Sequence, residues 1–179
     1  MALYGASVEC SLHCLLFLVD LPADVHASTQ ELASLQGISV SYVAKLFGAL
    51  RTAGIVTSVE GIDGGYRLAR PADAITVLDV VTALEGDKPM FQCREIRRQC
   101  ALFESTPPAW ATRGMCSIHA VMVEAEARMR EVLDAHTLAD LAGRVARKAP
   151  RSFGVDVVNW FGRRRPARGG SHSSKGASR

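Results

Sequence analysis

Three helical patterns followed by a hairpin pattern, all within the first 70 residues, most constrain the fold of this chain. The first pattern covers residues 6–20, where apolar side chains recur at the i, i+3, i+4, i+7 spacing of one buried helix face. The side chains with this spacing are Leu12, Leu15, Leu16 and Val19. The second helix begins at Ser28, whose spacing from Glu31 fits a capping box, and the third is predicted from Ser39 to Ala53.

A two-stranded hairpin is predicted directly after the third helix. Residues 55–59 alternate apolar and polar side chains, as a half-buried strand does, and residues 66–68 resume the pattern after a glycine-rich turn. Between the second and third helices, Ala33 allows close helix packing and Gly37 allows a positive φ. We therefore predict a mainly α fold, a winged helix-turn-helix with a two-stranded wing and a long C-terminal dimerisation helix.

The remaining chain predicts a loop and then the long helix. A short helix capped by Thr76 closes a DNA-binding region at residues 1–85, and residues 86–115 are expected to form an extended cysteine-containing loop. Residues 116–148 hold the dimerisation helix and a short terminal helix. Apolar positions of the long helix recur with a mean period of 3.5, which indicates a coiled-coil-like seam. These positions, with a histidine at the end, are Ile118, Met122, Ala125, Met129, Val132 and His136.

The net charge of +3 is unevenly distributed along the chain and gives little evidence for nucleic-acid binding. Residues 1–90 hold 5 basic and 10 acidic side chains, whereas residues 150–179 hold 7 and 1. The basic excess therefore lies in a low-complexity segment, and residues 149–179 are predicted to be a disordered basic tail. The alternative is a small docking helix or surface anchor, with an apolar face ahead of three arginines. That face consists of Phe153, Val157, Trp160 and Phe161.

Candidate DNA contacts come from the third helix and the wing. Ser39, Ser41 and Tyr42 place hydroxyl groups and an aromatic ring at the start of the helix, where a recognition helix meets base edges and phosphates. Lys45 and Arg67 add the cations that phosphate binding needs. The alternative is a solvated polar face on a trihelical protein-interaction domain.

Five cysteines without an export signal favour metal or redox chemistry over structural disulfides. Cys93, Cys100 and Cys116 are separated by six and then fifteen residues, which does not fit a zinc finger but is compatible with an iron–sulfur cluster. His119 follows three residues later and is either a ligand or a surface residue.

Two further pairs lie on the first helix, each four residues apart. Glu9 and His13 share one face, as candidate ligands or as a plain surface pair. Cys10 and Cys14 are better interpreted as packed small hydrophobes than as ligands.

This combination resembles the Rrf2 family of bacterial transcriptional regulators over roughly residues 1–145. The resemblance is carried by Ser39-Val40-Ser41-Tyr42-Val43-Ala44-Lys45, by Gly64-Gly65-Tyr66-Arg67-Leu68, by Ile75-Thr76-Val77-Leu78-Asp79-Val80-Val81, and by the cysteine loop before a long helix. It implies a homodimer in which an iron–sulfur cluster lies between the loop of one chain and the first helix of the other.

The resemblance also implies a ligand set. Cys116 matches the end of the family's cysteine loop, and Glu9 with His13 resembles the subgroup that holds a [2Fe–2S] cluster with two cysteines, Glu and His. The favoured set is Glu9, His13, Cys100 and Cys116 on [2Fe–2S] rather than [4Fe–4S]. Cys93 and His119 are the alternates, because the cysteine spacing departs from the family's usual five residues.

The expected function is a homodimeric, sequence-specific regulator of promoter DNA, a repressor that senses redox state, nitric oxide or iron. The alternatives are a cluster-free thiol–disulfide regulator and a protein-interaction module that does not bind DNA. No nucleophile elbow, P-loop or dinucleotide fingerprint is present, so an enzyme with a small-molecule substrate is not expected. Without a spanning segment or secretory signal, the chain is expected in the cytoplasm at the nucleoid, not in a membrane.

Overall fold

The computed structural model describes residues 3–61, 64–103 and 106–162. Within them the fold is mainly helical with a two-stranded antiparallel sheet, which confirms the predicted class. The elements are α1 (Ala6–Leu16), α2 (Thr29–Gln36), α3 (Val40–Thr52), β1 (Val56–Val59), β2 (Gly65–Leu68), α4 (Val77–Glu85), α5 (Ala109–Thr112), α6 (Ser117–Asp134), α7 (Leu138–Ala146) and α8 (Phe153–Gly162). No helix of the described residues is both long and apolar enough to cross a bilayer.

Local hydrogen bonds explain where α2 and α3 begin and end. The Ser28 hydroxyl accepts a hydrogen bond from the Glu31 backbone N–H (3.2 Å), and the Glu31 carboxylate accepts one from the Ser28 N–H (2.9 Å). The helix ends at Gly37, whose φ of 67° is the left-handed conformation that glycine adopts without steric cost. The Ser39 hydroxyl then caps α3.

The first helix is shorter than predicted. It ends at Leu16 instead of Asp20, because Leu18 and Val19 donate to the carbonyls of Leu15 and Leu16, three residues back. Such bonds tighten the end of a helix into turns. Val19, the last residue of the predicted apolar face, nevertheless packs against the core, so this face continues past the helix end.

The wing is anchored to the segment before α2. Its register pairs Val56 with Leu68 and Val59 with Gly65, and Tyr66 exchanges two backbone hydrogen bonds with Ala27 (2.8 and 3.0 Å). A Cβ atom at Gly65 would lie 2.7 Å from the Ala27 carbonyl, so only glycine allows this approach. The ring of Tyr66 packs edge-on against Phe47 of α3, which joins the wing to the recognition helix.

One main core connects α1, α2, α3 and the wing. Its largest fully buried side chains include Phe47, Leu15, Leu32, Leu50 and Ile55. The chain returns to this core at α7, where Leu138 is fully buried and donates its N–H to the Ile75 carbonyl (2.9 Å). The N-terminal helices with the wing and the C-terminal helices therefore share a single packed interior.

The long helix α6 contributes no buried residue to this interior. One side of it lies along α4, where Met129 accepts a hydrogen bond from the Tyr4 hydroxyl (3.2 Å). Another side is apolar and exposed, and it carries Ile118, Val121, Ala125 and Val132.

The structure differs from the sequence expectation in two segments. Residues 86–115 contain the short 3₁₀ helices Ile96–Gln99 and Ala101–Phe103 as well as α5, where an extended loop was expected. Residues 153–162 form α8, where a disordered tail was expected. Phe161 lies in the main core with 4 % of its surface exposed, and this burial explains the helix. The arginines from residue 163 onward lie outside the described residues.

Candidate nucleic-acid interface and metal-ligand residues

The first turn of α3 forms an exposed polar surface. The Ser39 hydroxyl accepts a hydrogen bond from the Tyr42 N–H (3.3 Å) and lies 3.4 Å from the Ser41 hydroxyl. Both serines and Lys45 are exposed, whereas Tyr42 is half-buried and packs on the core. Free N–H groups and the helix dipole make this end of α3 suitable for a phosphate. Four of the predicted DNA contacts therefore lie together, with Tyr42 at the edge of the surface that the other three expose.

The wing places a further cation beside this surface. Arg67 is exposed on β2 opposite Thr57, and the Arg51 guanidinium of α3 donates to the Ser58 hydroxyl on β1 (3.4 Å). This bond and the packing of Phe47 on Tyr66 fix the wing relative to α3. Arg70 follows the wing but pairs with Asp79 (2.7 Å), whose carboxylate also accepts a hydrogen bond from the N–H of Thr76, the N-cap of α4. Arg67 is therefore the wing cation best placed for a phosphate.

Glu9 and His13 lie exposed on α1 and line a groove of about 700 Å³ between α1 and α7. The floor of the groove is apolar and includes Leu12, and Arg144 of α7 lies on its rim. Their neighbours Cys10 and Cys14 point toward the core instead. Cys14 is fully buried, and burial raises the pKa of its thiol to about 12, so it stays protonated and is a poor ligand.

Cys116 lies at the start of α6, and Cys93 is among the groups that act on its thiol. Cys116 is the residue before the helix, and backbone N–H groups of His119 and Ile118 point at its sulfur. These hydrogen bonds, followed by the Cys93 thiol and the Arg97 charge, hold the pKa of Cys116 below its usual value. Since a thiolate is the form that binds metal, this environment fits Cys116 as a ligand.

A guanidinium holds the two ends of this segment together. Arg97 donates to the carbonyl of Gly114 (2.6 Å) and to the Glu95 carboxylate (2.9 Å). Bonding by Arg97 lowers the pKa of Glu95, whose backbone has a positive φ of 50°. Neither residue was among the predicted site residues. The sequence gives no local signal for them, because the contact joins positions 17 residues apart.

The structure brings together only part of the predicted ligand set. Cys100 is exposed between the two 3₁₀ helices, and the His119 ring packs 6.0 Å from that of Phe91. Among the described residues no group of three or more His, Cys, Asp or Glu side chains converges on a metal position. One chain therefore offers separate candidate half-sites, Glu9 with His13 on α1 and the cysteines before α6.

Comparison with known proteins agrees with this architecture. The sequence profile of the Rrf2 family, described as iron-dependent transcriptional regulators, matches residues 4–144. Protein Rrf2 of Nitratidesulfovibrio vulgaris is 40 % identical over 114 residues, which cover 64 % of this chain and 69 % of that protein. The transcriptional regulator IscR of Erwinia tasmaniensis is 33 % identical over 127 residues, covering 69 % and 70 %.

A solved structure shows the same fold. CymR, the global cysteine regulator of B. subtilis, superposes with a TM-score of 0.60 and 27 % identity, covering 80 % of this chain and 98 % of that one. The matched proteins are regulators and not enzymes. The family match ends before α8, which begins at residue 153.

Proposed function

Because the chain belongs to the Rrf2 family of DNA-binding transcriptional regulators, we propose that it is a homodimeric repressor that senses redox state, nitric oxide or iron through an iron–sulfur cluster. The observation that carries this proposal is the exposed apolar face of α6. An 18-residue helix without one buried side chain is explained if a second copy covers it. The proposal places the protein in the cytoplasm, at the nucleoid.

Double-stranded promoter DNA is the proposed partner of α3 and the wing. Ser39, Ser41 and Lys45 face solvent at the start of α3, and Arg67 lies on the wing. The helix supports direct readout in the major groove, with Tyr42 at its edge, whereas Arg67 supports phosphate contact. A dimer presents two such helices, so a palindromic operator is expected.

The iron–sulfur cluster is proposed to join two copies. Glu9 and His13 of one chain and Cys100 and Cys116 of the other form the favoured set, with [2Fe–2S] favoured over [4Fe–4S]. Cys93 and His119 are the alternates, and the contact between Cys93 and Cys116 supports a set that includes Cys93. A bound cluster supplies a centre whose charge and integrity change with electrons, nitric oxide or iron supply.

Helix α1 is the element that links such a site to DNA. It contacts α2 and α3 as well as α4 and α7. A tie between α1 of one chain and the cysteine segment of the other therefore constrains the distance between the two α3 helices. Half-site spacing depends on that distance, so the occupied and empty sites differ in operator affinity if they favour different distances.

Anaerobic purification tests the proposal. We expect visible absorption, iron and acid-labile sulfide in the parent protein, and their loss in Cys116→Ala. Glu9→Ala and Cys93→Ala then test whether Glu9 or the alternate Cys93 is a ligand, and Cys100→Ala tests whether Cys100 belongs to the set. Cys10→Ala is the matched control, because Cys10 adjoins Glu9 but packs on the core. A colourless, iron-free parent protein contradicts the proposed sensing.

A cluster-free thiol–disulfide regulator is the second candidate, and the contact between Cys93 and Cys116 favours it. It retains the dimer and the DNA surface and differs only in the sensor. Iron analysis separates the two candidates. Sequence-selective binding to a palindromic promoter fragment excludes a protein-interaction module that does not bind DNA.

A further inference from the structure

We propose that Arg97 is a positioning residue that holds Cys93 against Cys116, and that in the metal-free protein these two thiols form a disulfide with oxidised glutathione as the oxidant. The proposal deepens the second candidate function above, on which it rests, because it concerns the thiols of the chain without an iron–sulfur cluster. It states which two of the five cysteines form the disulfide and which side chain positions them.

The position of Arg97 differs from that of the other paired arginines. Its side chain is 22 % exposed, the least of the basic partners in the ion pairs of the described residues. It donates to the carbonyls of Thr112 (3.4 Å) and Gly114 (2.6 Å) and to Glu95. Arg97 thus spans from the 3₁₀ helix at its own position to the residues just before α6.

Both ends of this bridge lie next to a cysteine. Gly114, which accepts the shortest of these hydrogen bonds, lies two residues before Cys116. Glu95 lies two residues after Cys93, whose thiol donates to its carboxylate (3.7 Å). The left-handed conformation of Glu95, uncommon for a residue with a Cβ, turns its carboxylate toward both Cys93 and Arg97. The hydrogen bonds of Arg97 therefore fix the Cys93 and Cys116 segments relative to each other.

The result is one close thiol pair. Cys93 and Cys116 interact with each other, and both sulfurs face the Arg97 charge. Cys100 is exposed and takes no part in this contact, Cys14 is buried in the core, and Cys10 packs on the core. Two thiols held in contact react with each other as if at very high concentration.

The reaction balances as two thiol–disulfide exchanges. The Cys116 thiolate attacks one sulfur of oxidised glutathione, forms a mixed disulfide and releases one glutathione thiolate. The Cys93 thiolate then attacks the Cys116 sulfur and releases the second glutathione. The protein loses two protons and two electrons, and one oxidised glutathione becomes two molecules of reduced glutathione.

The experiment uses the full chain, freed of metal by a chelator without oxygen and placed in buffers of reduced and oxidised glutathione. Unreacted thiols are then blocked, and trypsin separates the three cysteines of the segment, because arginines at 94, 98 and 113 lie between them. Mass spectrometry of unreduced peptides identifies the linked pair. We expect Cys93 linked to Cys116, whereas a dominant link that contains Cys100 overturns the proposal.

Three variants test the role of Arg97. Arg97→Ala is expected to shift the dithiol–disulfide equilibrium about tenfold toward the dithiol, because it removes the positioning. Arg97→Lys, which keeps one donor, recovers part of that shift. Arg98→Ala is the matched control, since Arg98 pairs with the same Glu95 carboxylate but is 59 % exposed and does not reach Gly114. Equal equilibria for the parent and Arg97→Ala overturn the positioning role.

Thermal unfolding of the reduced variants is measured alongside, and we expect the same midpoint for all of them. Iron content and operator binding are recorded separately on anaerobic protein that has not been stripped. A protein without iron that still links Cys93 to Cys116 refutes the cluster and supports the pair. A protein that contains iron but does not link Cys93 to Cys116 once the metal is removed refutes the pair alone.

Discussion

Lys45 is the residue that best separates DNA affinity from folding. It is exposed on the second turn of α3 and makes no ion pair among the described residues. We expect Lys45→Ala to weaken binding to all DNA sequences about equally and to lower the salt slope by about 1, the loss of one phosphate contact. Fluorescence anisotropy at several salt concentrations measures both. Lys148→Ala, an exposed lysine after α7, is the control, and an equal effect of the two contradicts the interface.

Cys14 makes a pH-dependent contribution to stability. Burial raises the pKa of its thiol from 9.0 to about 12, so the unfolded chain ionises first as pH rises. The stabilisation is complete below pH 9 and is lost between pH 9 and about 12. We expect Cys14→Ala to lose less stability over that range than the parent in denaturant titrations, with Cys100→Ala, at an exposed cysteine, behaving like the parent. Parallel curves for Cys14→Ala and the parent contradict this.

The sequence predicted interactions between side chains only where the interacting residues are close along the chain. The surface of Ser39, Ser41 and Lys45 was predicted, since the N-cap and first two turns of one helix present all three. The sequence could not show which of the candidate metal ligands lie close together. The proposed approach of Cys93 to Cys116 depends on Arg97 and on the left-handed backbone conformation of Glu95. No spacing rule encodes either.

At the scale of elements, the helix ends were the most predictable features. The capping boxes at Ser28 and Thr76 were read correctly, because each consists of bonds between residues three apart. In contrast, α8 was predicted as part of a disordered tail. Its order comes from Phe161, which lies in the main core. The apolar face that includes Phe161 indicated the docking helix, but the basic, low-complexity composition of the segment favoured disorder.

Two glycines in neighbouring elements provide a matched test of the turn before α3. A Cβ at either Gly37 or Gly48 has open space, but Gly37 has a φ of 67° and Gly48 lies within α3. We expect Gly37→Ala to lower the free energy of unfolding by about 1 kcal/mol through backbone strain, and Gly48→Ala to raise it by about 0.5–1 kcal/mol. Urea titrations measure both, and the same sign for both changes refutes the argument.

The packing of α8 predicts a large effect of a single aromatic residue. Phe161 is 4 % exposed and Phe153, in the same helix, is 41 % exposed. Phe161→Ala is expected to cost about 3 kcal/mol of unfolding free energy, the usual loss for a buried aromatic side chain, and Phe153→Ala much less. Chemical denaturation measures the difference. If both variants unfold like the parent, α8 does not pack on the core in solution.

At the scale of the whole molecule, the exposed side of α6 and the half-sites point to the same assembly. The helix lies beside α4 without burying a residue, and the groove along α1 carries Glu9 and His13 away from the cysteines. A second copy would cover the apolar face of α6 and bring the second half-site, so the proposed dimer accounts for both. The 3.5-residue period predicts a seam but not which side of α6 its own chain occupies, since Met129, one of the seam positions, contacts Tyr4 of the same chain.

Two alanines on α6 test this assembly with a matched pair. Ala125 lies on the exposed apolar face with Val121 and Val132, whereas Ala127, also exposed, lies about 200° further around the helix. Ala125→Arg places a charge within the proposed dimer interface and is expected to shift the protein toward monomer in sedimentation, with operator affinity falling at least about tenfold. Ala127→Arg should remain dimeric and bind normally. If Ala125→Arg remains dimeric, or if both variants dissociate to the same extent, the dimer interface does not lie on this face of α6. The proposed inter-chain metal site is then contradicted as well.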